Sequence, residues 1–298
     1  MLARDLASKS VSVFKQDPNL VAAIDKLYGR NELDDLHSEV LLPDRRMDFL
    51  EVQQILNKSL LEKETPPWSL GIVATAKGLI AGPIKLHFKD GTCIDCFGSG
   101  GTLIPQDVDG IKEFKTTAKY ILVVEKDAVF QKLLDEGALV RLGPLIILTG
   151  KGYPDVCTRQ LLCRLVAELR LRALALVDAD PHGYEIFLTY KYGSLAQSHL
   201  SQSLACSSLQ LLGARHNDVM TLAPKEARLP LTTLDKGKIN SLVKRPYLNT
   251  TAGSAIRKDL QDMLRSGVKA EIEAMCPNVS ALCDTYLPSK IIQGVYLG

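Results

Sequence analysis

The sequence is poor in the features that place a protein in a membrane or in an oxidising compartment. It has no run of 18 or more apolar residues, and its N-terminus lacks the basic and apolar segments of a secretion signal. Its seven cysteines, an odd number scattered over 298 residues, do not resemble a disulfide framework. These absences predict a soluble, intracellular protein that makes no contact with a membrane.

The sequence also lacks a large net charge, a nucleotide-binding motif and a zinc-binding motif. A net charge of +2 excludes a polycationic coat for nucleic acid, although it permits a local basic groove. The GxxxxGK[ST] spacing of a P-loop is absent, which disfavours ATP hydrolysis by this chain. Cys93 and Cys96 form the only CxxC, with no second pair at ligand spacing, so a strand and its turn explain them better than zinc.

The composition is that of a globular protein, and the chain from Lys119 onwards alternates between two patterns. Apolar residues make up 46% of the sequence and charged residues 23%. Strand-like runs at 119–126, 144–150 and 174–180 alternate with helix-like stretches at 127–137, 156–173 and 182–194. This order predicts an α/β fold with a parallel sheet covered by helices on both faces.

The remainder of the chain follows other patterns. Residues 1–62 contain helix-like stretches, and residues 68–104 read as short strands with glycine-rich turns, a combination compatible with a winged-helix module. Residues 105–116 are predicted to form the boundary between this N-terminal part and the alternating α/β part of the chain. Two basic, helix-like stretches at 238–247 and 255–275 are expected to pack onto the sheet domain, with their charges mostly solvated.

Acidic residues end two of the predicted strands. Asp178 and Asp180 in LVDADPHGYEIF lie on one face of an extended chain, and Glu125 closes the first strand. Carboxylates this close repel each other unless a cation lies between them, and oxygen ligands favour Mg²⁺ or Mn²⁺ over zinc. The alternative is a solvated turn, because Asp, Pro and Gly are common turn residues.

Ligands of parallel sheets collect at the carboxyl ends of the strands, which is where these acids are expected. Mg²⁺ commonly bridges protein carboxylates to a phosphate, so the natural substrate class is phosphoryl or phosphodiester. Lys151, in the Gly-Lys-Gly turn after the second strand, could contact such a phosphate or could be an exposed turn lysine.

Three segments resemble the Toprim metal-binding segments of the type IIB topoisomerase A-type protein, and most closely its meiotic relatives that break both DNA strands. They are VVEKDAVF, ILTGKGYPDVCTR and LVDADPHGYEIFLTYKYGS. KGLIAGPIKL at 77–86 and KRPYL at 244–248 extend the resemblance from Trp68 to the C-terminus. It implies a winged-helix-like DNA-binding domain at 1–110 and a Rossmann-like Toprim domain with a helical C-terminal elaboration at 111–298.

The resemblance also implies a mechanism. A tyrosine of the winged-helix domain attacks a DNA phosphodiester and becomes joined to the 5′ end, while Toprim carboxylates of a second copy hold Mg²⁺ nearby. Carried onto this sequence, the metal ligands are Glu125, Asp178 and Asp180.

The DNA-facing residues and the partners follow from the same resemblance. The residues expected towards the DNA channel are Lys77, Lys151, Tyr153 and Arg159, although loop lysines and arginines are usually just solvated. The implied partners are double-stranded DNA, a second copy of the chain that makes a homodimer, accessory meiotic proteins and a B-type ATPase-like protein. The implied compartment is the nucleus.

One motif departs from the family pattern. The nucleophile segment has the form Arg-Asp-Ile-Tyr-Tyr, and this chain offers Arg4, Asp5 and Leu6 followed by Ala7 and Ser8. Serine therefore stands at the expected tyrosine position, where a phenol with a pKa near 10 is the better leaving group.

Three explanations of this departure stay open: an incomplete N-terminus, a catalytically inactive relative, or a wrong alignment of this segment. Tyr28 lies in a context unlike the nucleophile segment, so it reads as an ordinary tyrosine. The functional alternatives to a DNA-cleaving enzyme are a DNA-binding scaffold and, with less support, a Toprim nuclease or primase-like enzyme.

Overall fold

A computed structural model describes residues 75–194, 204–276, 281–294 and 296–298. Arg4, Ser8 and Tyr28, together with most of the predicted winged-helix-like domain, lie outside the described residues. Within the part of the chain that is described, no helix is both long and apolar enough to cross a membrane.

The described strands and helices alternate through much of the chain. The strands are β1 (Leu79–Ala81), β2 (Ile84–Phe88), β3 (Cys93–Asp95), β4 (Thr102–Leu103), β5 (Ile111–Thr116), β6 (Tyr120–Val124), β7 (Leu145–Thr149), β8 (Arg172–Leu176), β9 (Gln210–Gly213), β10 (Leu229–Pro230) and β11 (Val268–Lys269). The α-helices are α1 (Asp127–Asp135), α2 (Ala138–Arg141), α3 (Val156–Leu169), α4 (Pro181–Tyr192), α5 (His216–Leu222), α6 (Thr233–Leu242), α7 (Thr251–Ser266) and α8 (Leu287–Gln293).

A six-stranded sheet in the order β4-β1-β7-β6-β8-β9 forms the centre. β7, β6, β8 and β9 run parallel, which confirms the predicted parallel sheet, while β1 and β4 add an antiparallel edge. β6 and β7 are buried almost throughout because apolar clusters cover both faces of the sheet. Burial on both faces explains why these strands read as continuous apolar runs.

The three predicted strand and helix pairs after Lys119 are confirmed, with shifted ends. The sequence pattern predicts that α3 ends at residue 173, and it ends at Leu169. Arg170 adopts a left-handed conformation with φ 54°, and this stops the helix before β8 begins at Arg172. The sequence does not reveal the turn at Arg170 because the apolar pattern continues without interruption across 156–173.

Within residues 68–104, which the sequence predicts to form short strands, the apolar stretch 79–88 is divided between two sheets. β1 joins the central sheet, whereas β2 pairs with β3 and β5 in a separate three-stranded sheet. Gly82 lies at the break with φ 138°, and a Cβ there would come within 2.5 Å of the Leu145 carbonyl oxygen. The predicted division of the chain at 110/111 falls directly before β5, and it stays a prediction.

Candidate metal centre

Glu125 directly follows β6 and is joined to the end of the neighbouring strand β8. Its main-chain amide donates to the carbonyl of Leu176, and its Oε2 accepts a hydrogen bond from the amide of Asp178 at 2.8 Å. Only 9% of Glu125 is exposed. Because β6 and β8 are adjacent and parallel, their carboxyl ends bring two acids together that are far apart in sequence.

Asp178 is buried rather than part of a solvated turn. Only 6% of the residue is exposed, its Oδ1 accepts from the amide of Ile272 at 2.9 Å, and its Oδ2 lies 3.2 Å from Nζ of Lys126. A β-bridge between Ala179 and Ala270 holds the segment against the C-terminal part of the chain. The turn alternative for Asp178 is therefore not supported.

Asp180 has a clear structural task at the start of α4. It is the N-cap residue, its Oδ1 accepts from the amide of Gly183 at 2.7 Å, and Pro181 begins the helix. These interactions satisfy a helix-end amide and preset the first helical φ. The same capping geometry holds Asp180 close to the buried pair, near enough to raise the pKa of both Glu125 and Asp178 through its negative charge.

The electrostatics of the pair fit a cation. Burial raises the pKa of Glu125 to about 7, and the charge of Asp178 contributes in the same direction. Burial likewise raises the pKa of Asp178 to about 6, although hydrogen bonds from Ile272 and Lys126 oppose this. Burial thus disfavours the charged form of both carboxylates, and a divalent cation beside them would favour it.

The oxygen chemistry of these acids suits a hard divalent ion. Across the described ranges, however, no three His, Cys, Asp or Glu side chains are arranged as a group that could hold a metal. A physical reason is visible in the hydrogen bonds: Asp178 is engaged by Lys126 and Ile272, and Asp180 by Gly183. The donor chemistry therefore fits the ion, although the described side chains are not arranged as a preformed site.

Lys126, Glu271 and Glu273 border this centre and were not predicted from the sequence. Nζ of Lys126 lies 3.2 Å from Asp178, 3.1 Å from Glu271 and 3.3 Å from Glu273. Burial lowers the pKa of Lys126, but the surrounding carboxylates outweigh it and the net change is upwards. A lysine beside Glu125 is visible in the sequence, whereas nothing local connects it to glutamates almost 150 residues later.

The structure brings Lys77 and Lys151 together near the carboxyl end of β7. Nζ of Lys77 donates to the main-chain carbonyl of Lys151 at 3.2 Å, and Nζ of Lys151 lies 3.3 Å from Oδ2 of Asp127. Asp155, the N-cap of α3, accepts from the amides of Lys77 and Gly78. Two expected DNA-facing lysines therefore lie in contact, one on the segment before β1 and the other on the loop after β7.

Tyr153 lies on the surface at the edge of a charged cluster. Its hydroxyl donates to Oε2 of Glu185 and lies 3.3 Å from Nδ1 of His182. Glu185 also binds Lys238 and Arg245, both at 2.5 Å. Burial would raise the pKa of Glu185, but the hydrogen bonds from Lys238 and Tyr153 outweigh burial and lower it to about 2.

Arg159 differs from the other residues expected to contact DNA. It lies on α3 with 2% of its surface exposed, and its Nε donates to the carbonyl of Leu204 at 3.1 Å. Burial lowers the pKa of its guanidinium to about 10. The structure thus places Arg159 in the interior and not on the surface, and its contact with DNA stays a prediction.

The arrangement defines a class of protein. A parallel sheet with helices on both faces, a glutamate at the end of one strand and an Asp-x-Asp at the end of its neighbour are the features of a Toprim domain. The family model for the Toprim domain of Spo11 and of the topoisomerase 6 A-type protein matches residues 120–291. The chain belongs to this family, which confirms the resemblance seen in its sequence.

Relatives in animals and plants show the same similarity. The chain is 39% identical over 249 residues to meiotic recombination protein SPO11 of Homo sapiens, covering 83% of this chain and 62% of that protein. It is 38% identical over 237 residues to meiotic recombination protein W68 of Drosophila melanogaster, covering 78% and 68%. It is 40% identical over 230 residues to the A3 protein of DNA topoisomerase 6 of Oryza sativa subsp. indica, covering 76% and 51%. The chain thus spans about half to two thirds of the length of these relatives.

Proposed function

We propose that this chain is a DNA-cleaving protein that starts meiotic recombination by Mg²⁺-dependent transesterification. The observation that carries the proposal is the buried contact between Glu125 and Asp178 in a chain of this family. Relatives that share about two fifths of its residues are named meiotic recombination proteins. The substrate is double-stranded DNA, and the compartment is the nucleus.

The protein's own residues have distinct tasks in this reaction. Glu125, Asp178 and Asp180 would hold Mg²⁺, which supplies positive charge beside the phosphodiester as negative charge develops on it. Lys77 and Lys151 would bind backbone phosphates on the same rim, since lysine acts as a point charge for phosphate. Tyr153 would pack against the nucleic acid from the next turn.

The nucleophile and the assembly belong to the same proposal. A winged-helix domain of a second copy would supply the nucleophile, so the active form is a homodimer. In this chain the corresponding position is Ser8, with Arg4 before it, and both lie outside the described residues. The P-loop spacing is absent from the sequence, so we assign ATP hydrolysis to a separate B-type protein, with accessory meiotic proteins completing the complex.

Ser8 favours a second candidate function. A serine is shorter than a tyrosine by a whole ring, and its alkoxide is a poorer leaving group than a phenolate when ends are exchanged. A chain that keeps the acidic residues but lacks the phenol would bind a metal and DNA without cutting. The second candidate is therefore a DNA-binding scaffold of the same family.

One experiment separates the two candidates. The full chain, its Ser8→Tyr variant and the double variant Ser8→Tyr/Asp178→Asn are incubated with plasmid DNA and Mg²⁺. Covalent protein–DNA complexes are then counted after denaturation. Complexes with the unmodified chain support the enzyme. Complexes only with Ser8→Tyr, lost again with Asp178→Asn, support the scaffold. A native gel of the same mixtures, run before denaturation, measures DNA binding, and its absence from all three proteins would contradict both candidates.

A further inference from the structure

Lys126 stands between a candidate metal ligand and two acids of the C-terminal elaboration. It is the N-cap residue of α1, and because an ammonium group has no acceptor, its side chain caps no helix amide. The ammonium group instead lies 3.2 Å from Oδ2 of Asp178 and within 3.3 Å of one oxygen each of Glu271 and Glu273. A cation already belonging to the protein therefore contacts the carboxylate that a metal would need.

The three partners of Lys126 differ in how strongly they are held. Asp178 is buried and fixed by the amide of Ile272. The side chains of Glu271 and Glu273 are 59% and 39% exposed. Ion pairs between exposed groups contribute little, because water screens them and their side chains move freely. Lys126 already contacts both glutamates, so it can leave Asp178 and keep these contacts while Asp178 stays in place.

The main chain fixes this geometry. Ile272 lies between the two glutamates, and its amide donates to Oδ1 of Asp178. The neighbouring β-bridge joins Ala179 to Ala270. Glu271 and Glu273 are consequently attached to the same backbone segment that orients Asp178. This segment comes from the C-terminal part of the chain, so the position of the glutamates depends on how that part packs onto the sheet.

We propose that Lys126 is an internal cation that competes with the divalent metal for Asp178, and that Glu271 and Glu273 hold its ammonium group when the metal is bound. The inference rests on the proposed metal centre for the location of the ion. Like charges at such a distance repel, so Lys126 and a metal cannot both contact Asp178 without a loss of affinity. Lys126 is a positioning residue and touches no substrate.

Metal binding without DNA tests this inference. Isothermal titration with MgCl₂ compares the full chain with Lys126→Met and with Lys132→Met, which removes a lysine from the same helix outside the site. Lys126→Met is expected to lower the Kd for Mg²⁺ by roughly five- to tenfold, because the competing charge is gone. Lys132→Met is expected to leave it unchanged. An unchanged or higher Kd for Lys126→Met overturns the inference.

Substitution of Glu271 and Glu273 provides a second, independent test of the inference. Glu271→Gln/Glu273→Gln is expected to raise the Kd for Mg²⁺ several-fold, because Lys126 then has no alternative partner. In the Lys126→Met background the same pair of changes is expected to have a much smaller effect. Equal effects in both backgrounds would mean that the glutamates attract the metal directly, which overturns the inference. If Lys126→Met fails to fold, an unchanged Kd for the double glutamine variant overturns it as well.

Failure of the metal centre itself has a different signature. Glu125→Gln/Asp178→Asn is expected to abolish Mg²⁺ binding. If the unmodified chain and this double variant bind Mg²⁺ equally well, the proposed centre is wrong, and the inference falls with it. If the double substitution abolishes binding but the Lys126 and glutamate variants behave like the unmodified chain, the inference alone is wrong.

Discussion

The main-chain amide of Asp178 donates a hydrogen bond to Oε2 of Glu125 across 53 residues of sequence. The bond fixes the ends of two neighbouring parallel strands relative to each other and buries both carboxylates at one rim of the sheet. Burial of this kind disfavours the charged form of each acid. The stability of the protein should therefore decrease as these acids ionise and increase when a divalent metal binds them.

Without metal, Glu125→Gln should stabilise the protein above pH 7. The pKa of Glu125 is raised by burial to about 7, so the folded state holds this proton more tightly than the unfolded state does. The contribution of Glu125 to the stability of the folded state is therefore fully present below about pH 4.5, and this contribution is lost as the pH rises towards 7. Each pKa unit corresponds to ~1.4 kcal/mol, so we expect a gain of roughly 1–3 kcal/mol at pH 8.

Urea unfolding in EDTA at pH 4.5 and pH 8 measures this difference. Glu113→Gln, a change at an exposed glutamate of β5, serves as the control and should behave like the unmodified protein at both pH values. A gain from Glu125→Gln that is equal at the two pH values would contradict the prediction.

Mg²⁺ should stabilise the unmodified chain but not a variant that lacks the Asp178 carboxylate. A ligand that binds only the folded state stabilises it by ~2.7 kcal/mol at a concentration of one hundred times its Kd. We expect the thermal midpoint of the unmodified chain to rise with MgCl₂ at pH 8, and that of Asp178→Asn to stay unchanged. Thermal scans with and without excess chelator provide the measurement. A similar rise in both proteins would show that the ion binds elsewhere.

Glu185 should stabilise the protein at neutral pH but not in acid. Its contacts with Lys238 and Tyr153 lower its pKa to about 2 despite burial, so this stabilisation is present above about pH 4.5 and is lost as the pH falls towards 2. Glu185→Gln leaves two cations without a charged partner, and we expect a loss of about 1–3 kcal/mol at pH 7.

The matched control is Glu168→Gln, which removes an exposed i,i+4 pair with Arg164 and should cost less than about 0.5 kcal/mol. Chemical unfolding at pH 7 and pH 3 compares both variants with the unmodified chain. If the deficit of Glu185→Gln were as large at pH 3 as at pH 7, hydrogen bonding and not charge would be the cause.

Gly183→Ala should disturb the candidate metal centre. A Cβ at this position would overlap the carbonyl oxygen of Asp178 and lie 3.0 Å from Oε2 of Glu125. Forcing a methyl group into such a contact typically costs about 1–3 kcal/mol. Gly237→Ala in α6 meets nothing within 4 Å and should stabilise the protein by about 0.5–1 kcal/mol.

Both alanine variants can be followed by chemical unfolding and by titration with Mg²⁺. Only Gly183→Ala should weaken the binding of Mg²⁺. Equal stability of the two variants would show that the start of α4 can shift away from the end of β8.

Lys77→Gln and Lys151→Gln should weaken DNA binding uniformly across sequences. A lysine that contacts a phosphate adds about one to the slope of log affinity against log salt concentration, so each change should lower that slope by about 1. Fluorescence anisotropy with duplex DNA over a range of salt concentrations provides the measurement. Lys89→Gln, at an exposed turn after β2, is the control. A slope that none of the three changes affects would place the DNA elsewhere.

The sequence by itself determined the order of strands and helices between Lys119 and Ser194 and the rim on which the acids lie. Strands buried on both faces must be apolar throughout, and parallel strands bring their carboxyl ends to one edge, so local patterns were sufficient. The break at Gly82 and the early end of α3 at Arg170 were missed because each depends on a backbone conformation within a continuous apolar pattern.

Only the tertiary structure decided which groups meet at that rim. Lys126 contacts Glu273 across 147 residues, and Lys77 contacts Lys151 across 74. Arginine is usually found on the surface, yet the packing of α3 buries Arg159. Such contacts depend on how helices and the C-terminal segment pack onto the sheet, and no periodicity within a short stretch of sequence encodes them.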